Sequence, residues 1–140
     1  MTEPGTEPGT ELRTRSTREV LDDHLRLASE GALEEDLARN VAPDIAVLTG
    51  RGVFTWHDGI RELARQLYDE IPSGRWTYLS TRVAGRMAFL EWIVDSGPFR
   101  IPDGADSYLI EDGLMKAQTI HYTVTDPEGR VLIRADGSRP

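Results

Sequence analysis

The sequence contains no cysteine. Disulfides, thiolate metal sites and thiol nucleophiles are therefore excluded. It also lacks a basic excess: 16 Lys and Arg stand against 24 Asp and Glu, for a formal net charge of -8. Nucleic acid or an anionic membrane would want a basic face, so neither is an expected partner. No apolar run approaches the length of a membrane span, and the N-terminus has no apolar segment of the kind found in secretory leaders. A cytoplasmic protein is the expectation. The sequence has no HxH, HExxH or acidic calcium loop, no P-loop or GxGxxG, and no GxSxG elbow. With those motifs missing, we expect no metal, no cofactor and no serine chemistry.

What is present suits an ordinary globule. With 140 residues, 39% hydrophobic and 29% charged, the chain should bury roughly two thirds of its unfolded surface as one unit. Residues 1–14, with TEPG twice over, read as a disordered tail, since acid, Pro and Gly offer nothing to a core. Residues 15–126 read as one domain, and 127–140 as a loose tail or one short extra strand at "RVLIR".

"STREVLDDHLRLASEG" predicts a first helix, with Ser16 and Glu19 in capping-box position and Gly31 as its stop. His24 falls inside its apolar stripe of Val20, Leu21, Leu25, Leu27 and Ala28. A short second helix over about 33–40 carries Leu33 and Leu37, and Pro43 breaks the chain before the strand "DIAVLTG". "GVFTW" reads as a short return strand, and "HDGIRELARQLYDEI" as a third helix. The period then changes to alternation, predicting strands at about 75–83, 87–95, 105–111 and 114–124. In "ADSYLIEDG", Asp106 shares a strand face with Tyr108 and Ile110, which puts a carboxylate on a face the other two mark as buried. Strand 87–95 is apolar on both faces, with Met87, Phe89 and Ile93 on one and Ala88, Leu90, Trp92 and Val94 on the other. One face should meet the helices. The other should meet a second copy of the chain, with Leu90, Trp92 and His121 at the contact, or else be crossed by the C-terminal segment.

This order, with "LASEGALEEDLARNVAPDIAV", "HDGIREL" and "DGLMKAQTIHYTV", resembles the nuclear-transport-factor-2-like superfamily over about residues 17–124. Within it, the sequence is similar to the SnoaL-like (polyketide cyclase) and ketosteroid-isomerase groups. The resemblance implies a cystatin-like α+β cone, a curved antiparallel sheet wrapped around three N-terminal helices. Its mouth would lead to an apolar pocket holding a few polar residues. By the same resemblance, His24 stands where the isomerases keep an oxyanion-binding Tyr, and Asp106 where they keep a protonated Asp. Their general-base Asp falls near Thr49, which cannot serve as a carboxylate base, and Ala64 replaces a supporting Tyr. Steroid isomerisation of the known kind is not expected.

Glu91 shares a strand face with Met87, Phe89 and Ile93. If that face and the Asp106 face coincide, Glu91 opposes Tyr108, Asp106 opposes Ile93, and the two carboxyls perturb each other as an acid and a base. Otherwise Glu91 is a solvated or Arg-paired rim residue. The candidate catalytic residues are thus Asp106, Glu91 and His24, and the candidate ligand-binding residues are Tyr108, Tyr122, Phe89, Trp56, Ile93 and Gln118. His57 reads as a neighbour of the helix start at Asp58, and His121 as an outer-face residue.

The function read from this is a cofactor-free pocket protein for a small apolar organic ligand bearing a carbonyl or hydroxyl. If catalytic, it would work by proton transfer: isomerisation, cyclisation or dehydration. The alternatives are a non-catalytic ligand-binding protein, a dimeric adaptor and an epoxide-hydrolase-like enzyme. On this reading Asp106 has a raised pKa, and Asp106→Asn preserves or raises stability.

Overall fold

The computed structural model describes residues 9–140. The helix α2 (Thr17–Ser29) begins on a complete capping box, with the Ser16 side chain accepting from the Glu19 amide and the Glu19 side chain accepting from the Ser16 amide. Its end is a Schellman turn: the Gly31 amide donates to Ala28 O and the Ala32 amide to Leu27 O. Gly31 sits at φ +70°, where a side chain would be strained. Before it, α1 (Thr10–Arg13) is a single turn. The tail expected over 1–14 therefore falls partly on residues 1–8, outside the described residues, and partly on this turn, which lies against Gly113.

The elements α3 (Leu33–Asn40), β1 (Val41–Thr49), β2 (Gly52–Thr55) and α4 (Trp56–Glu70) follow. Then come β3 (Arg75–Ala84), β4 (Met87–Asp95), β5 (Arg100–Glu111), β6 (Leu114–His121), β7 (Val124–Thr125) and β8 (Val131–Ile133). The sheet runs β2-β1-β6-β5-β4-β3, with β7 pairing β5 and β8. Every pairing is antiparallel except β1 with β6, which is parallel. Pro43 does not break the chain ahead of β1. It lies inside the strand, where the register with β6 slips between Val41 and Ala46, as a residue without an N–H requires. Further slips in β3–β4, β4–β5 and β5–β6 help curl the sheet into a half-barrel with the helices inside, an α+β cone.

The two faces of β4 are the reverse of the expected ones. Leu90 pairs with Asp106 and Glu91 with Ala105, so Ala88, Leu90, Trp92 and Val94 line the interior with Asp106 and Tyr108. Met87, Phe89, Glu91 and Ile93 belong to the outer face, where Met87 is 62% exposed. The physical reason is charge and polarity. The outer row carries two carboxylates, Glu91 and Asp95, while the inner row carries none, and its one polar atom, Trp92 Nε1–H, finds an acceptor inside. Leu90 and Trp92 are thus core residues and leave the expected dimer contact, whereas His121 stays exposed. Opposite Trp92 stands Gly104, and a Cβ there would collide with the indole ring.

Candidate functional site

Asp106 is the centre of the interior, 8% exposed, on β5. Three donors converge on it. Trp92 Nε1–H donates to Oδ1 at 3.0 Å, and the Tyr108 hydroxyl and Gln118 Nε2–H donate to Oδ2 at 2.9 and 3.2 Å. The topology explains the convergence. Tyr108 is two residues along the same strand and faces the same way, Gln118 is its cross-strand partner on β6, and Trp92 reaches over from β4. Burial dominates the titration and raises the Asp106 pKa above the ordinary carboxylate value, with the three hydrogen bonds and nearby His24 pulling the other way.

His24 enters from α2, its ring meeting the Tyr108 ring edge-on at 5.6 Å. Its Nδ1–H donates to Asp36 Oδ2 on α3 at 2.7 Å, and Nε2 makes no hydrogen bond among the described residues. Burial works against charging the imidazole, but Asp36 and, more weakly, Asp106 outweigh it, so the His24 pKa is raised. Asp36 is itself held by Asn40 Nδ2–H at 2.9 Å, and Arg15 Nη1–H donates to Asn40 Oδ1 at 2.8 Å. Arg15 and Arg39 both reach Asp23, whose carboxyl Arg39, Arg26 and Asn40 hold well below the usual range against the cost of burial. The Tyr78 hydroxyl donates to Leu25 O, and burial pushes its pKa up to about 12.

A second polar group occupies the far side of Trp92. The Trp92 ring stacks on Trp76 at 4.7 Å and meets the Tyr122 ring at 5.9 Å. The Tyr122 hydroxyl donates to Glu70 Oε1 at 3.0 Å, Arg51 pairs with Glu70, and the Arg51 guanidinium lies 4.4 Å from the Tyr122 ring centre. Burial, with Glu70 beside it, raises the Tyr122 pKa well above its ordinary value.

Of the residues singled out from sequence, the structure brings His24, Asp106, Tyr108 and Gln118 together, with Tyr122 linked through Trp92. It does not bring Glu91, which accepts from Ser80 Oγ at 2.8 Å on the exposed face. Phe89 and Ile93 go outward with it, because side chains two apart share a face. Trp56 opens α4 at φ 65° and is 60% exposed, so it walls no interior. His57 stands in the first turn of α4, at the helix start as expected, and is buried there, its Nε2–H donating to Val41 O at 3.0 Å. Sequence reasoning missed Asp36, Trp92, Glu70 and Arg51. Asp36 and Asn40 had a readable signal, since helical spacing places them beside Leu33 and Leu37 on the buried side of α3. Arg51 had none, sitting in "GRG" as an ordinary turn residue.

Among the described residues, no group of three or more His, Asp or Glu is placed to hold a metal, and no helix is long and apolar enough to cross a membrane.

No protein-family model matches the chain. No curated protein matches it either. Solved structures do. A candidate SnoaL-like polyketide cyclase from Mesorhizobium loti is 18% identical, with TM-score 0.61, over 77% of this chain and 100% of that one. A candidate ketosteroid isomerase from Kribbella flavida DSM 17836 is 20% identical, with TM-score 0.63, over 81% and 78%. An NTF-2 like protein of unknown function from Burkholderia xenovorans LB400 is 13% identical, with TM-score 0.64, over 84% and 87%. Identities this low speak for architecture alone. The chain has the nuclear-transport-factor-2-like fold, shared with SnoaL-like and ketosteroid-isomerase-like proteins.

Proposed function

We propose that this chain is a cofactor-independent enzyme that moves a proton on an apolar carbonyl compound, in an isomerisation, aldol-type cyclisation or dehydration. The observation that carries this is the His24–Asp36 pair beside buried Asp106. Asp36 accepts a hydrogen bond from Nδ1–H and fixes the ring, so that in its neutral form the imidazole presents Nε2 as a base. Asp106, whose burial favours its protonated form, is the acid for the oxygen that becomes negative. The names of the neighbouring folds, a polyketide cyclase and a ketosteroid isomerase, agree with enol chemistry.

The test needs no known product. A panel of enolisable ketones in deuterium oxide is followed by proton NMR for loss of the α-hydrogen signal. Exchange above buffer is expected for at least one ketone, and His24→Gln should slow it by about 10²-fold or more. Exchange at the buffer rate for every ketone, or unchanged exchange in His24→Gln, would sink the proposal.

One observation favours a non-catalytic binding protein: both Asp106 oxygens are already engaged by protein donors. Saturable ketone binding without exchange is the outcome that reading expects. For the outer face we propose a second copy of the chain against Met87, Phe89 and Leu79, exposed apolar side chains on adjacent strands. Sedimentation showing only monomer at micromolar concentration removes it.

A further inference from the structure

We infer that Arg15 is a positioning residue for His24, acting through Asn40 and Asp36 to hold the imidazole with its Nε2 lone pair free. That a free Nε2 matters rests on the proton-transfer reading above; the geometry that holds it does not. Arg15 lies between the single turn of α1 and the Ser16 cap of α2, with its side chain 11% exposed. Its Nε–H donates to Leu12 O at 2.8 Å, and Nη2–H donates to Arg39 O at 2.7 Å and Gly113 O at 3.0 Å. Nη1–H donates to Asn40 Oδ1 at 2.8 Å and to Asp23 Oδ2 at 3.4 Å. Thus α1, α2, the end of α3 and the β5–β6 turn all close on one cation. The fit at that turn is tight, since a Cβ on Gly113 would stand 2.2 Å from Leu12 O.

A guanidinium can only donate, so the face of Asn40 that meets Arg15 is the oxygen. The amide nitrogen is then turned toward acids. It donates to Asp36 Oδ1 at 2.9 Å, one helical turn back on α3, and a bond from Asn40 also reaches Asp23 on α2. Asn40 is 0% exposed, so water cannot replace either kind of partner. With Oδ1 of Asp36 engaged by Asn40, Oδ2 accepts from His24 Nδ1–H at 2.7 Å. The four side chains make one chain of bonds anchored at Arg15. Its far end decides which ring nitrogen carries the hydrogen.

Without the cation, the buried Asn40 oxygen loses its donor, which is costly. An asparagine at a helix end turns instead to nearby backbone groups, and that takes its N–H off Asp36. Asp36 is then released to other rotamers, and the ring it orients is released with it. Arg39 gives the contrast. Its Nε–H also donates to Asp23, at 2.8 Å, but its side chain makes no bond to Asn40 among the described residues.

The experiment is proton NMR of the full chain in water. A histidine Nδ1–H bonded to a carboxylate resonates far downfield and exchanges slowly, and its loss in His24→Gln assigns it. Arg15→Met should lose this signal, whereas Arg39→Met, which removes a cation from the same cluster, should keep it. No such signal in wild type, an unchanged signal in Arg15→Met, or equal loss in Arg39→Met overturns the inference. The second result would make Arg15 a staple for α1 alone, and the third would reduce its effect to general charge. Should Arg15→Met fail to fold, Asn40→Ala cuts the chain of bonds while leaving Arg15 on Leu12, Arg39 and Gly113. Loss of the signal there supports the inference, and its retention overturns it. A wild type that has the signal but exchanges no ketone sinks the enzyme reading and leaves this arrangement standing. Ketone exchange in wild type, with the signal unmoved in Arg15→Met and Asn40→Ala, does the reverse.

Discussion

Asp106 and Glu91 sit on neighbouring strands, almost across from one another, and live in different solvents. Asp106 has three protein donors and almost no water, whereas Glu91 has one serine hydroxyl and open solution. The difference is the parity of one strand pairing: Leu90, not Glu91, opposes Asp106. Pairing parity decides which carboxyl has its titration moved by burial.

The largest break comes from Gly104→Ala. The new methyl would occupy the Trp92 indole and push it off Asp106. A loss of about 3 kcal/mol is expected from overpacking, read as a lower urea midpoint. Asp106→Asn comes next, at about 2 kcal/mol destabilising. An Asn that keeps its Oδ1 on Trp92 Nε1–H turns its NH₂ toward the Tyr108 hydroxyl and Gln118, which must both reorient from donor to acceptor. This revises the sequence-based expectation of unchanged or raised stability, which assumed no such convergence.

A smaller effect comes from pH. The folded Asp106 binds its proton more tightly than the unfolded chain does, so stability falls as pH rises from the unfolded carboxylate value through the folded one. The raised His24 pKa acts with the same sign at higher pH. Its contribution is complete below the unfolded histidine value and is lost as pH climbs through the folded one. Urea midpoints measured from acid to mildly alkaline pH should decline across both windows, and the His24→Gln profile should lose the upper step. A profile rising through both windows contradicts the assignment. The smallest effect is Glu91→Gln, within about 0.5 kcal/mol of wild type and without moving the Asp106 carboxyl resonance in carbon-detected NMR.

The helix boundaries were legible because local chemistry sets them: Ser16, Glu19 and Gly31 mark α2 in sequence as they do in space. The buried row Asp106, Tyr108, Ile110 was equally plain from alternation. The facing of β4 was not, since both of its rows are mostly apolar and periodicity alone cannot rank them. The deciding signal was present in Glu91 and Asp95, two charges on one row and none on the other. Arg51 and Glu70 were beyond reach for another reason. They are 19 residues apart, on a turn and a helix end, and only the closed cone brings them together.

The parallel contact of β1 with β6 also bears on how the molecule assembles. Strands β3 to β6 join neighbour to neighbour, so each pairing closes only a short stretch of chain. Val47 must find Gln118 across the whole of that meander, and closing so long a loop costs on the order of 4 kcal/mol of chain entropy before any contact repays it. The meander is therefore expected to form early and the β1–β2 arm to dock late. Until that arm and α2 cover the concave face, Asp106 lacks the burial that raises its pKa in the folded chain. The raised proton affinity of Asp106 is thus expected to appear only with the closed cone, not with the meander alone.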